Sequence, residues 1–485
     1  MNDGTDGQVG MLQAPWALVA AGVITGALVV DNPVGLGVTL SSVAIGLAVE
    51  WQRPRPHDPW TLATGALAVA LAATALLSAA EWSVALALLA AAGCAAASVT
   101  QPTTWAGLVR GLLSPLRSVW EGGRGLTAGI GRRVGRDGLR RAAPALRGAA
   151  LAAILVVVFG TLFVSADRAF ADLTDRYLVP DWDLGLLPAR VVVAGFTALG
   201  AAALAIAPGR AADAPTAPPR SRLGKVEWLT ALGALDLLFV AFVAVQLTVL
   251  FGGHTHVLET TGLTYAAYAR GGFFQLLVAA GLTFAVIAGA VRWSAADEGR
   301  DRLVLRLLLG VVCLLTLVVL ASAMRRLGLY EEAFGFTRAR MLAHAILLWM
   351  AGLIALVLVA GALGTARWLA RAAFVVTAVA VLAFTAIRPD ALVAEHNVRR
   401  FEATGEIDLH YLDTLSADAV PALVALPPGP RACILWDDAA RLLEPAPWHA
   451  VNLSRTRARR LLREADVRSS PARCHWVRVE RELGG

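Results

Sequence analysis

Charge is scarce in this 485-residue chain. Asp, Glu, Lys and Arg make up 16% of it, where a soluble globular protein carries roughly a quarter. Lysine is all but missing: Lys225 is the single one, so nearly all the positive charge is arginine. There are only four cysteines, and none forms a Cys-x-x-Cys pair. Several catalytic signatures are also absent: the phosphate-cradling P-loop, the dinucleotide-binding glycine fingerprint, His-Glu-x-x-His and the Gly-x-Ser-x-Gly elbow. The first ten residues hold Asp3 and Asp6 but no basic residue, so the positive start of a cleavable signal peptide is missing and the first apolar run is expected to be retained. Period-two alternation is lacking as well, which argues strongly against a membrane barrel.

What is present is apolar and arranged in blocks. Hydrophobic residues reach 57%, in runs of roughly 16 to 25 separated by charged or Pro-rich joints. A run of about 18 uncharged apolar residues crosses the hydrocarbon layer as a helix, and a helix satisfies its own backbone there. The expected fold is therefore all-α, a polytopic transmembrane helix bundle of about eleven spans. A small, mainly helical soluble tail follows it. The spans read as 15–30, 34–50, 61–80, 82–99, 148–165, 189–207, 226–251, 272–291, 303–323, 341–363 and 368–387. The first two are short, with a turn at Asp31-Asn32-Pro33. A minimal turn at Glu81 joins the third and fourth.

Four regions follow from these joints. Residues 1–99 form a four-span N-terminal region, 100–147 a basic connector, 148–387 a seven-span core and 388–485 the tail. The connector carries Arg110, Arg117, Arg124, Arg132, Arg133, Arg136, Arg140, Arg141 and Arg147 against Glu121 and Asp137. The positive-inside rule places it in the cytoplasm. The N-terminus then lies in the cytoplasm and the tail is extracytoplasmic. Residues 105–120 read as a basic amphipathic helix for anionic lipid headgroups, or as a plain orienting loop. The net charge of +7 is explained by such joints, and nucleic acid is not an expected partner. The arginine bias, with the Ala and Gly load, fits a GC-rich bacterial genome and hence the bacterial plasma membrane.

Candidate functional residues are few. Asp236 is the clearest ionisable residue inside a span, and Gln246 lies ten residues on, offset by about 80° around the helix. Asp236 reads either as a proton or cation relay or substrate contact, or as an interhelical hydrogen bond that fixes packing, and the second reading is favoured. The segment 324–340, MRRLGLYEEAFGFTRAR, reads as a short interfacial helix with Leu327, Tyr330 and Phe334 on one face. Thr337 is placed to cap the next span. Arg340 and His344, four apart, share a face at its start. Arg325, Arg326, Arg338 and Arg340 could grip phosphate or carboxylate, or pair with Glu331, Glu332 and Asp167. Cys433 and Cys474 in the tail form a bridge or remain two buried thiols. Cys94 and Cys313 read as packing residues. His254 and His256 gather too few companions for a metal, so neither a metal nor a cofactor is expected. Gly22 and Gly26 have the spacing of a close helix contact.

Five phrases carry a resemblance: SADRAFADL from Ser165, LDLLFVAFVAVQLTVLFGG from Leu235, TGLTYAAYARGGFFQL from Thr261, RRLGLYEEAFGFTRAR from Arg325 and AEHNVRRFEATGEIDLHYLDTLSADAVPAL from Ala394. Together they resemble the bacterial polytopic membrane family called domain of unknown function 4173, within the broader 4153 group. That family implies a membrane fold and brings no activity, so no catalytic residue carries over. On the topology above, the phrases bring polar residues to one boundary: Asp167, Arg168, Glu259, Tyr265, Arg270, Arg325, Arg326, Tyr330, Glu331, Arg338, Arg340 and His344. The expectation is an outward-facing polar site for a small or lipidic anionic ligand, in a transport-like protein. An envelope sensor or regulatory scaffold, and an enzyme acting on lipid-linked substrates, are the other two classes.

Overall fold

The computed structural model describes residues 14–52, 58–115, 187–206, 224–251, 265–294 and 299–465. Every described element is a helix. They are α1 (Pro15–Val29), α2 (Leu36–Gln52), α3 (Pro59–Leu77), α4 (Glu81–Thr100), α5 (Leu187–Ile206), α6 (Lys225–Phe251), α7 (Tyr265–Trp293), α8 (Gly299–Phe334), α9 (Arg338–Leu363) and α10 (Leu369–Ala386). Then come α11 (Pro389–Thr404), α12 (Leu409–Asp413), α13 (Val420–Leu423), α14 (Pro428–Leu442) and α15 (Leu453–Glu464). Among the described residues, seven helices are long and apolar enough to cross a membrane, and three shorter apolar helices accompany them. These ten match ten of the expected spans. The remaining one, 148–165, lies outside the described residues. The residues of 105–115 are helical too, with Leu108 buried and Trp105, Val109 and Leu112 exposed, so the face expected to join Leu108 and Leu112 is not buried as one.

The chain forms two compact units. The first holds Met1–Leu77, Ala87–Asp213 and Ala446–Leu453; the second holds Ser78–Leu86, Ala214–Pro445 and Ser454–Gly485.

In the first unit, α1 and α2 form the expected hairpin. Asp31 sits in the left-handed region (φ 61°), where Asp is among the residues that tolerate it, and the Asn32 side chain donates to the Val30 carbonyl at 2.9 Å. Glycine then decides how α1 packs on α5. A Cβ at Gly22 would collide with the Ala194 carbonyl oxygen, and one at Gly26 with that of Arg190. The spacing of small residues thus lets two backbones touch, which is how helices associate where lipid offers no hydrophobic drive. Gly22→Leu and Gly26→Leu are each expected to cost about 1–3 kcal/mol by overpacking. A thermal melt in detergent reads this as an earlier transition, and wild-type melting in both variants would rule out the contact.

In the second unit, α6, α7, α8 and α9 share two buried clusters. One contains Trp228, Leu232, Ile287, Leu309, Cys313 and Ile354. The other contains Val243, Leu276, Ala280, Val319, Leu320 and Leu347. Helix α8 is 36 residues long, about 54 Å, well beyond the roughly 30 Å of hydrocarbon. The separate interfacial helix expected at 324–340 is therefore a continuation of the span. Its Arg, Leu, Glu and Ala residues are good helix formers, and nothing stops the helix until Gly335.

The tail is helical, as expected. It begins at a sharp corner, where Arg388 adopts φ 52° just before Pro389. Its core is continuous with residues of the apolar helices: Val393, Val398, Leu412, Leu423, Leu435 and Leu462 bury with Ala79, Met341 and Phe384. The tail is thus docked on helix ends rather than tethered below them.

Candidate functional site

The site is built on the break between α8 and α9. Gly335 takes a left-handed conformation (φ 77°) and its N–H returns to the Glu331 carbonyl at 2.8 Å, the usual way to end a helix. A side chain there would also meet Asn397 Oδ1 at 2.7 Å, so both backbone and space require glycine. Two residues on, Thr337 caps α9 by accepting from the Arg340 N–H at 3.4 Å. Arg340 folds back, and its guanidinium donates to the carbonyls of Phe334 and Gly335. It also lies 4.4 Å from the centre of the Tyr330 ring. A cation here complements the negative end of α8.

Arg338 makes the strongest pair. Its Nε donates to Asp390 Oδ1 at 2.7 Å and one terminal nitrogen to Oδ2 at 2.6 Å, the bidentate fork that arginine alone provides. The same nitrogen reaches the Thr414 carbonyl at 2.9 Å. The backbone N–H of Arg338 donates to the Tyr411 hydroxyl at 2.6 Å. Asp390 is fully buried and also accepts from the Ser416 N–H at 2.9 Å and from Trp82 Nε1 at 3.2 Å. Burial is the largest single influence on its carboxyl and pushes it up. The Arg338 bonds, the Ser416 amide and the Arg338 charge together outweigh burial and hold it below the usual range. Burial also pushes the Tyr411 phenol up, despite the opposing Arg338.

A second buried carboxylate lies nearby in sequence. Asp418 accepts from Ser78 Oγ at 2.6 Å, from the Ala79 N–H at 3.1 Å and from the Ala80 N–H at 3.3 Å. It thus satisfies the amides at the start of α4, where a negative charge is favoured. Asn397 completes the junction. It pairs with both backbone groups of Phe336, accepting its N–H at 3.2 Å and donating to its carbonyl at 2.8 Å. Across the break, His344 Nε2 meets the Glu331 carboxylate at 2.9 Å.

Of the residues singled out from sequence, the structure gathers Tyr330, Glu331, Arg338, Arg340 and His344 around this break. Arg325 is exposed and Arg326 half-buried. Gln246, Tyr265 and Arg270 fall on α6 and α7, but their side chains lie outside the described part. Asp167, Arg168, Glu259 and Cys474 lie outside it altogether, as do His254 and His256. Cys433 is on α14, and Cys94 and Cys313 are buried. Asp236 is buried on α6, away from this junction in sequence. Among the described residues, no three His, Cys, Asp or Glu side chains gather as a metal would need. Sequence reading missed Asp390, Asn397, Tyr411, Asp418 and Trp82. Three of these stand within the last phrase of the family resemblance, which was the available signal.

A chain whose described residues are all helical, with this many apolar helices and a helical tail held to helix ends by the Arg338–Asp390 ion pair and the Asp418 hydrogen bonds, is a multi-pass membrane protein. Its lipid partner is the bilayer itself. The chain belongs to the family described as Domain of unknown function (DUF4153), whose family model matches residues 65–426. Neither the curated proteins nor the solved structures contain a match.

Proposed function

We propose that the protein binds a small or lipidic anionic ligand at the α8–α9 junction, in a transport-like role, as a member of the narrower 4173 group. One observation carries this reading. Asp390 and Thr414 hold Arg338 through Nε and one terminal nitrogen of its guanidinium, while its side chain remains 31% exposed. A guanidinium fixed in this way is preorganised, and its other terminal nitrogen meets an anion without further ordering cost. Arg340 adds a second positive charge two residues on. In this reading the junction and tail face the extracytoplasmic side, Cys433 pairs with Cys474, and the Arg-rich connector contacts anionic headgroups inside.

The test uses the full chain in nanodiscs, with phosphatidylglycerol and inorganic phosphate as separate probes. Arg338→Lys keeps the charge and loses the fork. It is expected to weaken binding of the better probe at least about tenfold, or about 1.4 kcal/mol. Equal binding by a folded Arg338→Lys, Arg340→Gln double variant would remove the proposal.

The His344–Glu331 pair favours a second reading, a membrane enzyme on lipid-linked substrates. A His held by a carboxylate beside arginines serves as a general base once its other ring nitrogen, here 2.6 Å from Met324 Sδ, is freed for substrate. Turnover of a lipid-linked phosphate substrate that is lost in His344→Gln would select it.

A further inference from the structure

Asp236 presents a different problem. It lies on the buried face of α6: Leu232 and Val243, four residues before and seven after, point within about 40° of the same direction. It is 8% exposed, and both carboxylate oxygens are buried without a hydrogen-bond partner. The favoured sequence reading, an interhelical hydrogen bond that fixes packing, is therefore not what the helices provide. An ionised, unpartnered carboxylate is strongly disfavoured at such a place.

The surroundings can be located from the two clusters. Leu232 packs with Ile287 and Cys313, and Val243 with Leu276, Ala280 and Val319. Asp236, between them, falls at the level of Thr283 on α7 and of Cys313 and Thr316 on α8. Cys313 is within electrostatic reach of it. Thr316 Oγ1 donates to the Val312 carbonyl at 2.7 Å and lies 3.3 Å from Thr283 Oγ1, and Thr283 donates to the Ala279 carbonyl at 3.1 Å. Both hydroxyls therefore keep acceptor lone pairs.

We propose that Asp236, facing Cys313 of α8 and at about the level of Thr316 and Thr283 along the helices, is an intramembrane site that takes up and releases a proton. The unpaired, buried carboxyl is the binding group, and the threonine oxygens supply the polar lining that a proton entering or leaving needs. From α8 the facing titratable group is the Cys313 thiol. From α7 the polar group at this level is the Thr283 hydroxyl, which does not titrate, and α9 offers Ile354 and Val357 to the same cluster. The nearest charged or titratable groups along these helices are Glu227 on α6, Arg292 on α7, Arg306 on α8 and His344 on α9. Each is at least about 10 Å along its helix from this level, so none neutralises Asp236. The site is independent of the anion site at the α8–α9 break.

Infrared difference spectroscopy tests this on the full chain in nanodiscs, wild type against Asp236→Asn. The expected result is a protonated-carboxylic-acid carbonyl band at neutral pH that is lost in Asp236→Asn and fades reversibly as the pH is raised. Dicyclohexylcarbodiimide, which adds only to a protonated carboxyl, should modify Asp236, and peptide mapping should find no adduct in the variant. Absence of the band at neutral pH would show an ionised, partnered group and overturn the proposal. A band that persists at every pH would show a locked proton and overturn it too. Loss of the band on adding sodium at constant pH would make the occupant a metal cation, again against the proposal. A melt of each protein separates these outcomes from misfolding.

Discussion

Asp390→Ala is expected to destabilise the tail-bearing unit by about 3 kcal/mol, the low end for breaking a buried ion pair. The low end applies because Arg338 is partly exposed and can recover some hydration. Most of the cost is the stranding of Arg338, the Ser416 N–H and Trp82 Nε1 together. An Arg338→Met, Asp390→Leu double variant removes the stranded charge and should recover part of the loss. Recovery stays incomplete because the Ser416 and Trp82 donors still lack a partner. The pH dependence has a definite sign. The folded Asp390 carboxyl is held below its ordinary value, and that value is about 3.9 in an unfolded chain. Its contribution is thus complete above about pH 4 and fades as the pH falls through the lower folded value. Asp390→Asn should be less stable at neutral pH and show a flatter acid limb. Thermal melts between neutral pH and pH 3 would reveal both effects. Melting of Asp390→Ala alongside wild type would remove the ion pair from the account.

Asp418→Ala should be equally severe, at about 3 kcal/mol or more. Ser78 Oγ and the Ala79 amide lose Asp418 as their acceptor at once, while the Ala80 amide keeps its bond to Ser78 Oγ at 3.2 Å. Asp418→Asn keeps one carbonyl oxygen and should cost less. Denaturant or thermal unfolding in detergent gives the ranking wild type, then Asn, then Ala. If the Ala variant ranks above Asn, the carboxylate is not what satisfies the start of α4.

The spans were legible because membrane insertion is decided by hydropathy over long windows, which survives any error in detail. Thr337 as a cap and the Gly22/Gly26 contact were legible because each is a local rule, whereas the turn expected at Glu81 falls at 78–80 and Glu81 opens α4. The interfacial helix was misread for a related reason. Charge and aromatic residues after Ala323 suggested a new element, while helix propensity carried α8 to the first residue that stops it, Gly335. The carboxylates were not legible. Asp390 follows Pro389 at a helix start, where an acid is ordinary, and its partner Arg338 is 52 residues away. Asp418 serves Ser78 across 340 residues, a separation no spacing rule spans. Arginines chosen as ligand binders turned out to have internal partners as well, because a guanidinium with five donors can brace a fold and still present an edge.

The central claim is that the helical tail is locked to the ends of the apolar helices by two buried carboxylates. Hydrogen–deuterium exchange on the full chain in nanodiscs measures this directly. The wild type should protect residues 78–86 and 389–423 alike, and Asp418→Ala should release both segments together. Exchange of 389–423 at the rate of a free chain in the wild type, or release of one segment without the other, would contradict it.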